Sequence, residues 1–314
     1  MKFKNIRYTP GGGAELIDMS VDDPGPGQVQ IENTACGICS WDLQTFRAGS
    51  DSASAAPPGH EGVGYVTKLG AGVSDVEIGQ RVAGGGFGRV RNAPANRLYK
   101  IPDSNLADQH WIVEPASCVV TGIDCCRIKV GERLAMVGCG FMGLMMVQGL
   151  QGMGLDQLIA LDVDDRRLAM AKEFGATEAH NVTSGDFEEV KRDLQSRGID
   201  VVVDTSGAQS GLDLATAIVK RAGLINLFGW IKGTQATFNP TTWHGKAISI
   251  VNSSPAAQLR DPFPVAIRLI QNGVIDLKPL VTHVVPIEEF PSFMSKATTG
   301  QVDGYIKGVI STVA

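Results

Sequence analysis

The stretch Arg133-Leu134-Ala135-Met136-Val137 is almost wholly apolar and runs directly into Gly138-Cys139-Gly140-Phe141-Met142-Gly143, followed by more apolar residues. A strand, a glycine turn and a helix in immediate succession leave few folds open, because the helix must pack back closely on the strand that precedes it. On this reading Gly138 permits the tight turn, Gly140 lets the backbone approach a pyrophosphate, and Gly143 lets the helix lie against the strand. The helix N-terminus then offers N–H groups and partial positive charge to phosphates. A GxGxxG motif alone is weak. Here the next strand, LIALD (158–162), ends on Asp162 at the distance expected of a residue that accepts from ribose hydroxyls. A carboxylate there favours NAD and repels the 2′-phosphate of NADP, while Arg166 and Arg167 lie nearby and temper that preference. The rival readings are a structural turn that binds nothing and, for Asp162, an N-cap of the helix DDRRLAM. Cys139 reads as a small filler rather than a nucleophile.

The same pattern continues downstream. Expected helices at 164–176 and 186–198 alternate with strands near Ala179, at IDVVVDTSG (199–207), GLINLFGW (223–230) and AISIVNSS (247–254). Near-continuous apolar strands between helices indicate an α/β fold with a doubly wound parallel sheet, covered on both faces. The first hundred residues read differently, as strands and Gly/Pro-rich turns with few helices: 28–34, 62–70, 80–85 and 96–102. The tail adds a helix near 264–271, a strand at 278–285, a helix at 287–298 and a last strand at 305–312.

Composition narrows the function. With 28 Lys+Arg against 33 Asp+Glu the net charge is −5, which argues against a nucleic-acid partner. Leu134–Leu155 carries no charge and is long enough to cross a bilayer, but its six glycines fit a strand, a turn and a helix better than a membrane span. The opening MKFKNIRYTP has no apolar core of a secretion signal, and six cysteines in 314 residues make no dense disulfide framework, so the expectation is a reducing cytoplasm.

A second constellation comprises Cys39 in Cys-Gly-Ile-Cys, His60-Glu61 in Pro-Pro-Gly-His-Glu-Gly, and Glu114 in Val-Glu-Pro-Ala. A thiolate, an imidazole and a carboxylate suit zinc, and three protein ligands leave a position open. Taken singly, each residue has a plainer reading: a redox dithiol for CxxC, a buried structural histidine for His60, a solvated loop residue for Glu114.

In order along the chain, Ala35-Cys36-Gly37-Ile38-Cys39, Gly59-His60-Glu61-Gly62, Gly79-Gln80-Arg81-Val82, Val113-Glu114-Pro115 and the glycine turn together resemble the zinc-dependent medium-chain alcohol dehydrogenases. Glu114 and Lys278–His283 are most similar to the sorbitol and threonine dehydrogenase branch. The resemblance implies a GroES-like β-rich catalytic domain (1–119), a Rossmann NAD-binding domain (120–252) and a C-terminal return (253–314). It implies one catalytic zinc on Cys39, His60 and Glu114, with Glu61 or a water completing the sphere. It also implies a homodimer or homotetramer with the strand near Ala247–Ser253 at the subunit contact.

Two departures stand out. Where the family carries a hydroxyl and a histidine after the cysteine ligand, this chain has Trp41 and Gln44, neither of which can move a proton; Ser40, Thr45 or Glu61 would have to substitute. The interval Ala83–Leu98, where the family often holds a structural zinc on four cysteines, contains none, so no structural zinc is expected there. The reading is therefore an NAD- and zinc-dependent oxidoreductase interconverting a polar secondary alcohol, a polyol or sugar derivative, and its ketone. Gly138, Gly140, Phe141, Met142, Gly143, Asp162 and Arg167 would hold the dinucleotide; Phe228, Gly229, Val251, Asn252 and Ser253 would back the nicotinamide. The alternatives are a non-catalytic NAD(H)-binding sensor or scaffold, and a metal-free reductase of the same superfamily.

Overall fold

A computed structural model describes residues 2–49, 58–230, 235–254 and 257–313. The chain forms two compact units. One comprises Met1–Ala116, Ala266–Gln271 and Asp276–Ala314; the other comprises Ser117–Val265 and Asn272–Ile275. The expected boundaries fall at 119 and 252; the chain changes unit inside α2 (Val113–Cys126), inside α8 (Phe263–Gln271), and on either side of Asn272–Ile275.

The second unit holds six parallel strands: β8 (Arg133–Val137), β9 (Gln157–Asp162), β10 (Glu178–Asn181), β11 (Ile199–Asp204), β12 (Val219–Leu227) and β13 (Ser249–Asn252). Their spatial order is β10-β9-β8-β11-β12-β13, so the winding direction reverses between β8 and β11. Ligands of such sheets bind at that reversal, beyond the carboxyl ends of the strands. The central strands are apolar because both faces are covered: Leu134, Ala135, Met136, Ile159, Val202 and Val203 have no exposure. Helices α3 (Phe141–Leu150), α4 (Asp165–Glu173), α5 (Phe187–Arg197) and α6 (Gln209–Ile218) connect them. α5 buries Phe187 and Leu194 and turns its charged residues outward, whereas α3 buries everything from Gly143 to Leu150 but Gly149. The uncharged stretch Leu134–Leu155 is thus divided among β8, the glycine turn and α3. Among the described residues no helix is long and apolar enough to cross a membrane.

The first unit opens with a hairpin of β1 (Lys2–Tyr8) and β2 (Ala14–Ser20). Its main sheet runs β14-β15-β3-β4-β5-β7, from β3 (Gln28–Gly37), β4 (Glu61–Leu69), β5 (Arg81–Ala83), β7 (Tyr99–Lys100), β14 (Val281–Pro286) and β15 (Lys307–Ser311); β6 (Val90–Pro94) also pairs with β3. The tail therefore completes this sheet: β15 lies antiparallel to β3, with Ile310 opposite Cys36. Two local expectations need correction. The strand expected over 96–102 is a 3-10 turn at Ala95–Arg97 followed by two strand residues, bracketed by Pro94 and Pro102, which cannot donate to a ladder. The stretch expected to be strands and turns also contains a helix, α1 (Ser40–Ala48), capped by Cys39 and Asp42.

At the amino ends of the parallel strands a charged lattice ties the second unit together. Arg197 pairs with Glu178 at 2.6 Å, Arg133 with Asp156 at 2.9 Å, and the Arg133 N–H donates to Asp200 at 2.8 Å. Hydrogen bonds from Arg197, reinforced by His180, hold the Glu178 carboxyl down at about 2. A carboxyl depressed in the folded state stabilises above its unfolded value near 4.3 and loses that contribution as pH falls toward 2. Glu178→Gln is therefore expected to remove about 0.5–1 kcal/mol at neutral pH and to flatten the loss of stability between pH 4.5 and 2, measured by urea melts across that range; parallel pH profiles for the two proteins would contradict this.

Candidate metal centre and dinucleotide turn

Both motif sites follow from how strands end. β3 finishes at Cys36-Gly37, and two residues later Cys39 caps α1 with extended backbone. Asp42 closes the cap: its Oδ2 accepts the Cys39 N–H at 2.8 Å and its Oδ1 accepts the Tyr8 hydroxyl at 3.2 Å. His60 precedes β4, and Glu61 opens it directly opposite Gly37. Gly37 is required there, because a Cβ would lie 1.9 Å from Glu61 Oε2. These elements bring Cys39, His60 and Glu61 together, with one ligand atom from each lying within 4.8 Å of the others. His60 is exposed and Glu61 buried.

Glu61 is not free to move alone. Lys307, from β15, pairs with its Oε2 at 2.5 Å and donates to the Ile38 carbonyl at 2.8 Å; both side chains are almost wholly buried. Burial pulls the Lys307 ammonium down, but the carboxylate of Glu61, close by and hydrogen-bonded to it, outweighs burial and holds it above the usual lysine range. Burial, with Glu61 adding, pushes the Cys39 thiol up to about 12. Burial also lifts Asp42 to about 6 against the pull of its Cys39 hydrogen bond. Lys307 balances Glu61, and a divalent cation beside Cys39 would favour the thiolate that burial disfavours. The donor set of sulfur, nitrogen and oxygen suits zinc.

Glu114 is not part of this three-residue group. It sits half-buried in the first turn of α2, immediately before Pro115. Of the residues weighed for the missing relay, Thr45 donates its hydroxyl to the Trp41 carbonyl at 2.9 Å, a bond within its own helix. Ser40 and Gln44 are exposed on α1, and Trp41 is 57% exposed.

At the glycine turn each glycine has a different reason. Gly138 has φ +98°. A Cβ on Gly143 would lie 2.1 Å from the Gly138 carbonyl oxygen, so helix and strand could not approach. A Cβ on Gly140 would meet nothing within 4 Å: the space beside it is open. Gly140 caps α3 without a side-chain hydrogen bond, so no cap side chain stands between the amino end of the helix and the open space beside it. The residues therefore fit a dinucleotide.

Asp162 ends β9 and organises the turn itself. Its Oδ2 accepts the Cys139 N–H, and its Oδ1 accepts those of Val163 and Asp164 at 2.8 and 3.0 Å. The N-cap of α4 is Asp164 instead, accepting from Arg166 and Arg167 and pairing with the Arg167 guanidinium at 3.6 Å. Cys139 is fully buried and burial pushes its thiol up to about 12, in keeping with a filler. Phe141 and Met142 open α3. The N–H groups of Phe228 and Gly229 donate to the Asp204 carbonyl at 3.0 and 2.7 Å. Val251 and Asn252 end β13; Ser253 turns inward, its hydroxyl donating to Asn226 Oδ1 at 2.6 Å while Asn226 Nδ2 donates to the Gly122 carbonyl at 2.9 Å.

Sequence reasoning missed Lys307, Asp42 and Asn226. A lone lysine inside the apolar run IKGVI signals a buried partner, and Asp42, three residues after Cys39, is a capping-box spacing. Asn226 in LINLFG carries a similar, weaker signal.

Comparison with known proteins agrees with this architecture. Residues 25–103 match the alcohol dehydrogenase GroES-like domain and residues 142–272 the zinc-binding dehydrogenase domain. The chain belongs to the zinc-dependent medium-chain dehydrogenase family. It is 27% identical over 312 residues to D-arabinitol dehydrogenase 1 of Uromyces fabae, covering 87% of this chain and 88% of that protein. It is also 27% identical over 337 residues to L-threonine 3-dehydrogenase of Pyrococcus horikoshii, covering 95% and 96%. An alcohol dehydrogenase from Escherichia coli solved with NADH shares the fold, with a TM-score of 0.86 at 24% identity over 99% of each chain. So does a protein from Sinorhizobium meliloti solved with NADP, with a TM-score of 0.86 at 22% identity over 99% of each chain.

Two substitutions separate space from packing. Gly140→Ala is expected to melt as the wild type and to bind NADH at least about tenfold more weakly, whereas Gly143→Ala should lose about 1–3 kcal/mol of stability; calorimetry and NADH fluorescence titration read both, and the opposite pattern would reverse the two roles. Lys307→Met leaves the Glu61 carboxylate buried without its cation and should cost about 3 kcal/mol in metal-free protein. An unchanged urea midpoint would show that the pair holds nothing.

Proposed function

We propose that the chain is an NAD-dependent dehydrogenase that interconverts a polar secondary alcohol, a polyol or sugar derivative, with its ketone, using one zinc ion per subunit. The observation that carries this reading is the grouping of Cys39, His60 and Glu61 in a chain whose other unit presents an open glycine turn. Zinc would polarise the substrate oxygen and NAD would accept the hydride. Cys39 and His60 hold the metal, Glu61 lies beside them on Lys307, and Glu114 is the further protein ligand that the resemblance implies. Ser40, exposed directly after Cys39, is the hydroxyl left to pass the substrate proton to water, since Trp41 and Gln44 cannot. The glycine turn and the amino end of α3 bind the pyrophosphate, and Asp162 favours NAD by accepting from the ribose. The backbone at Phe228-Gly229 and Val251–Ser253 backs the nicotinamide. The polyol preference is supported by relatives that act on arabinitol and sorbitol. β13 is an edge strand with Ser249, Ile250 and Asn252 exposed, which supports a homodimer or homotetramer; the cytoplasm is the compartment this reading assigns.

The test is NAD(H)-linked turnover over a panel of polyols, sugars and simple alcohols, before and after chelation and with zinc restored. Turnover is expected to vanish with the metal and return with zinc; full turnover in metal-free protein would point to the metal-free reductase, and NADH binding without turnover on any substrate to a sensor. Asp162→Ser should weaken NAD more than NADP, and an unchanged ratio of the two affinities would refute its role.

A further inference from the structure

His60 and Glu61 are gripped between two neighbours. On one side is β3, with Gly37 opposite Glu61. On the other is the segment Gly84–Gly88, which brackets the pair: the Phe87 N–H donates to the Pro58 carbonyl at 2.8 Å and the Gly84 N–H to the Gly62 carbonyl at 3.0 Å. The two segments lie close together. A Cβ on Gly62 would lie 2.5 Å from the Gly85 Cα, and one on Gly59 would lie 2.8 Å from the Phe87 nitrogen.

Four of the five residues in Gly84–Gly88 are glycine, so the segment has almost no side chains of its own to fix it. Its position must be imposed from outside. Phe87, fully buried, anchors one point by packing 5.0 Å from the Phe290 ring. Beyond this ring and the two backbone bonds, a buried side chain, Asn33, ties the segment to β3. This residue has no exposure, and its Nδ2 donates to the carbonyls of both Gly86, at 3.2 Å, and Gly88, at 2.6 Å. Asn33 also sits on β3 where the pairing with β4 slips register between Asn33 and Ala35, a bulge that sets the aim of the strand leading to Cys39. One residue therefore stands at the root of both arms.

Building on the zinc reading above, we propose that Asn33 is a positioning residue for the metal centre. By holding Gly84–Gly88 against residues 58–62, it sets the spacing between Cys39 and the His60-Glu61 pair. It touches no metal and no substrate.

The experiment compares wild type, Asn33→Ala and Gly85→Ala, the last placing a Cβ 2.3 Å from Asn33 Oδ1. Zinc affinity is read by competition with a chromophoric chelator, and cobalt-substituted protein by its visible thiolate and ligand-field bands. Metal-free thermal melts and NADH titration serve as controls for the fold and for the other unit. The expected result is zinc binding about 10–100-fold weaker with shifted cobalt bands, while NADH affinity is unchanged and the metal-free variants still melt cooperatively. Wild-type zinc affinity and an unaltered cobalt spectrum in either folded variant overturn the proposal. Loss of cooperative melting in both assigns Asn33 to folding alone and overturns it as well. A wild-type protein that binds no zinc overturns the metal reading together with this one, which distinguishes the two failures.

Discussion

The ion pair between Glu61 and Lys307 is the contact on which the first unit turns. It joins the start of β4 to the start of β15 across β3, with both side chains out of water. Burying two charges is expensive, and the attraction between them repays that cost only with good geometry and further hydrogen bonds. The Ile38 carbonyl supplies one, accepting from Lys307. The space the pair occupies dictates glycine at position 37, and that in turn brings Cys39 to the end of β3 within reach of His60. Cys39 lies beside this balanced pair with its thiolate disfavoured by burial, and a cation held there would favour that thiolate.

The dinucleotide half was legible in the sequence because its logic is local. An apolar strand, three glycines at fixed spacing and an acidic residue one strand later each answer a constraint acting within a few residues, and the open space at Gly140 and the contact at Gly143 are the counterparts of that reading. The helix α1 was not legible, since its cap is a cysteine supported by Asp42 rather than one of the usual capping residues. Lys307 and Asn33 escaped for another reason: their partners lie far away in sequence, and nothing in the residues adjoining them names those partners. Glu114, included in the metal set on its residue type and again by resemblance, lies outside the group of three that the fold assembles.

Asp162 is held by the backbone on both sides of it. It receives three backbone N–H groups from the turn and the following loop, so it shapes the surface to which it also contributes charge. A ribose that uses this carboxylate meets a group already oriented, with little side-chain freedom left to lose on binding.

The tail that completes the first sheet bears on how the molecule comes into being. The second unit is built almost entirely from one continuous stretch, Ser117–Val265. The first unit needs β15, and Lys307 meets Ile38 across 269 positions of chain. During synthesis the nucleotide half has all its strands long before the other half has its last. Until that strand arrives, the end of β3 at Ala35–Gly37 lacks its β15 partner and Glu61 its counter-charge. The strands around the glycine turn are therefore all synthesised before the Cys39–His60–Glu61 group can gain its last partner, and the end of β3 stays exposed for pairing over that interval.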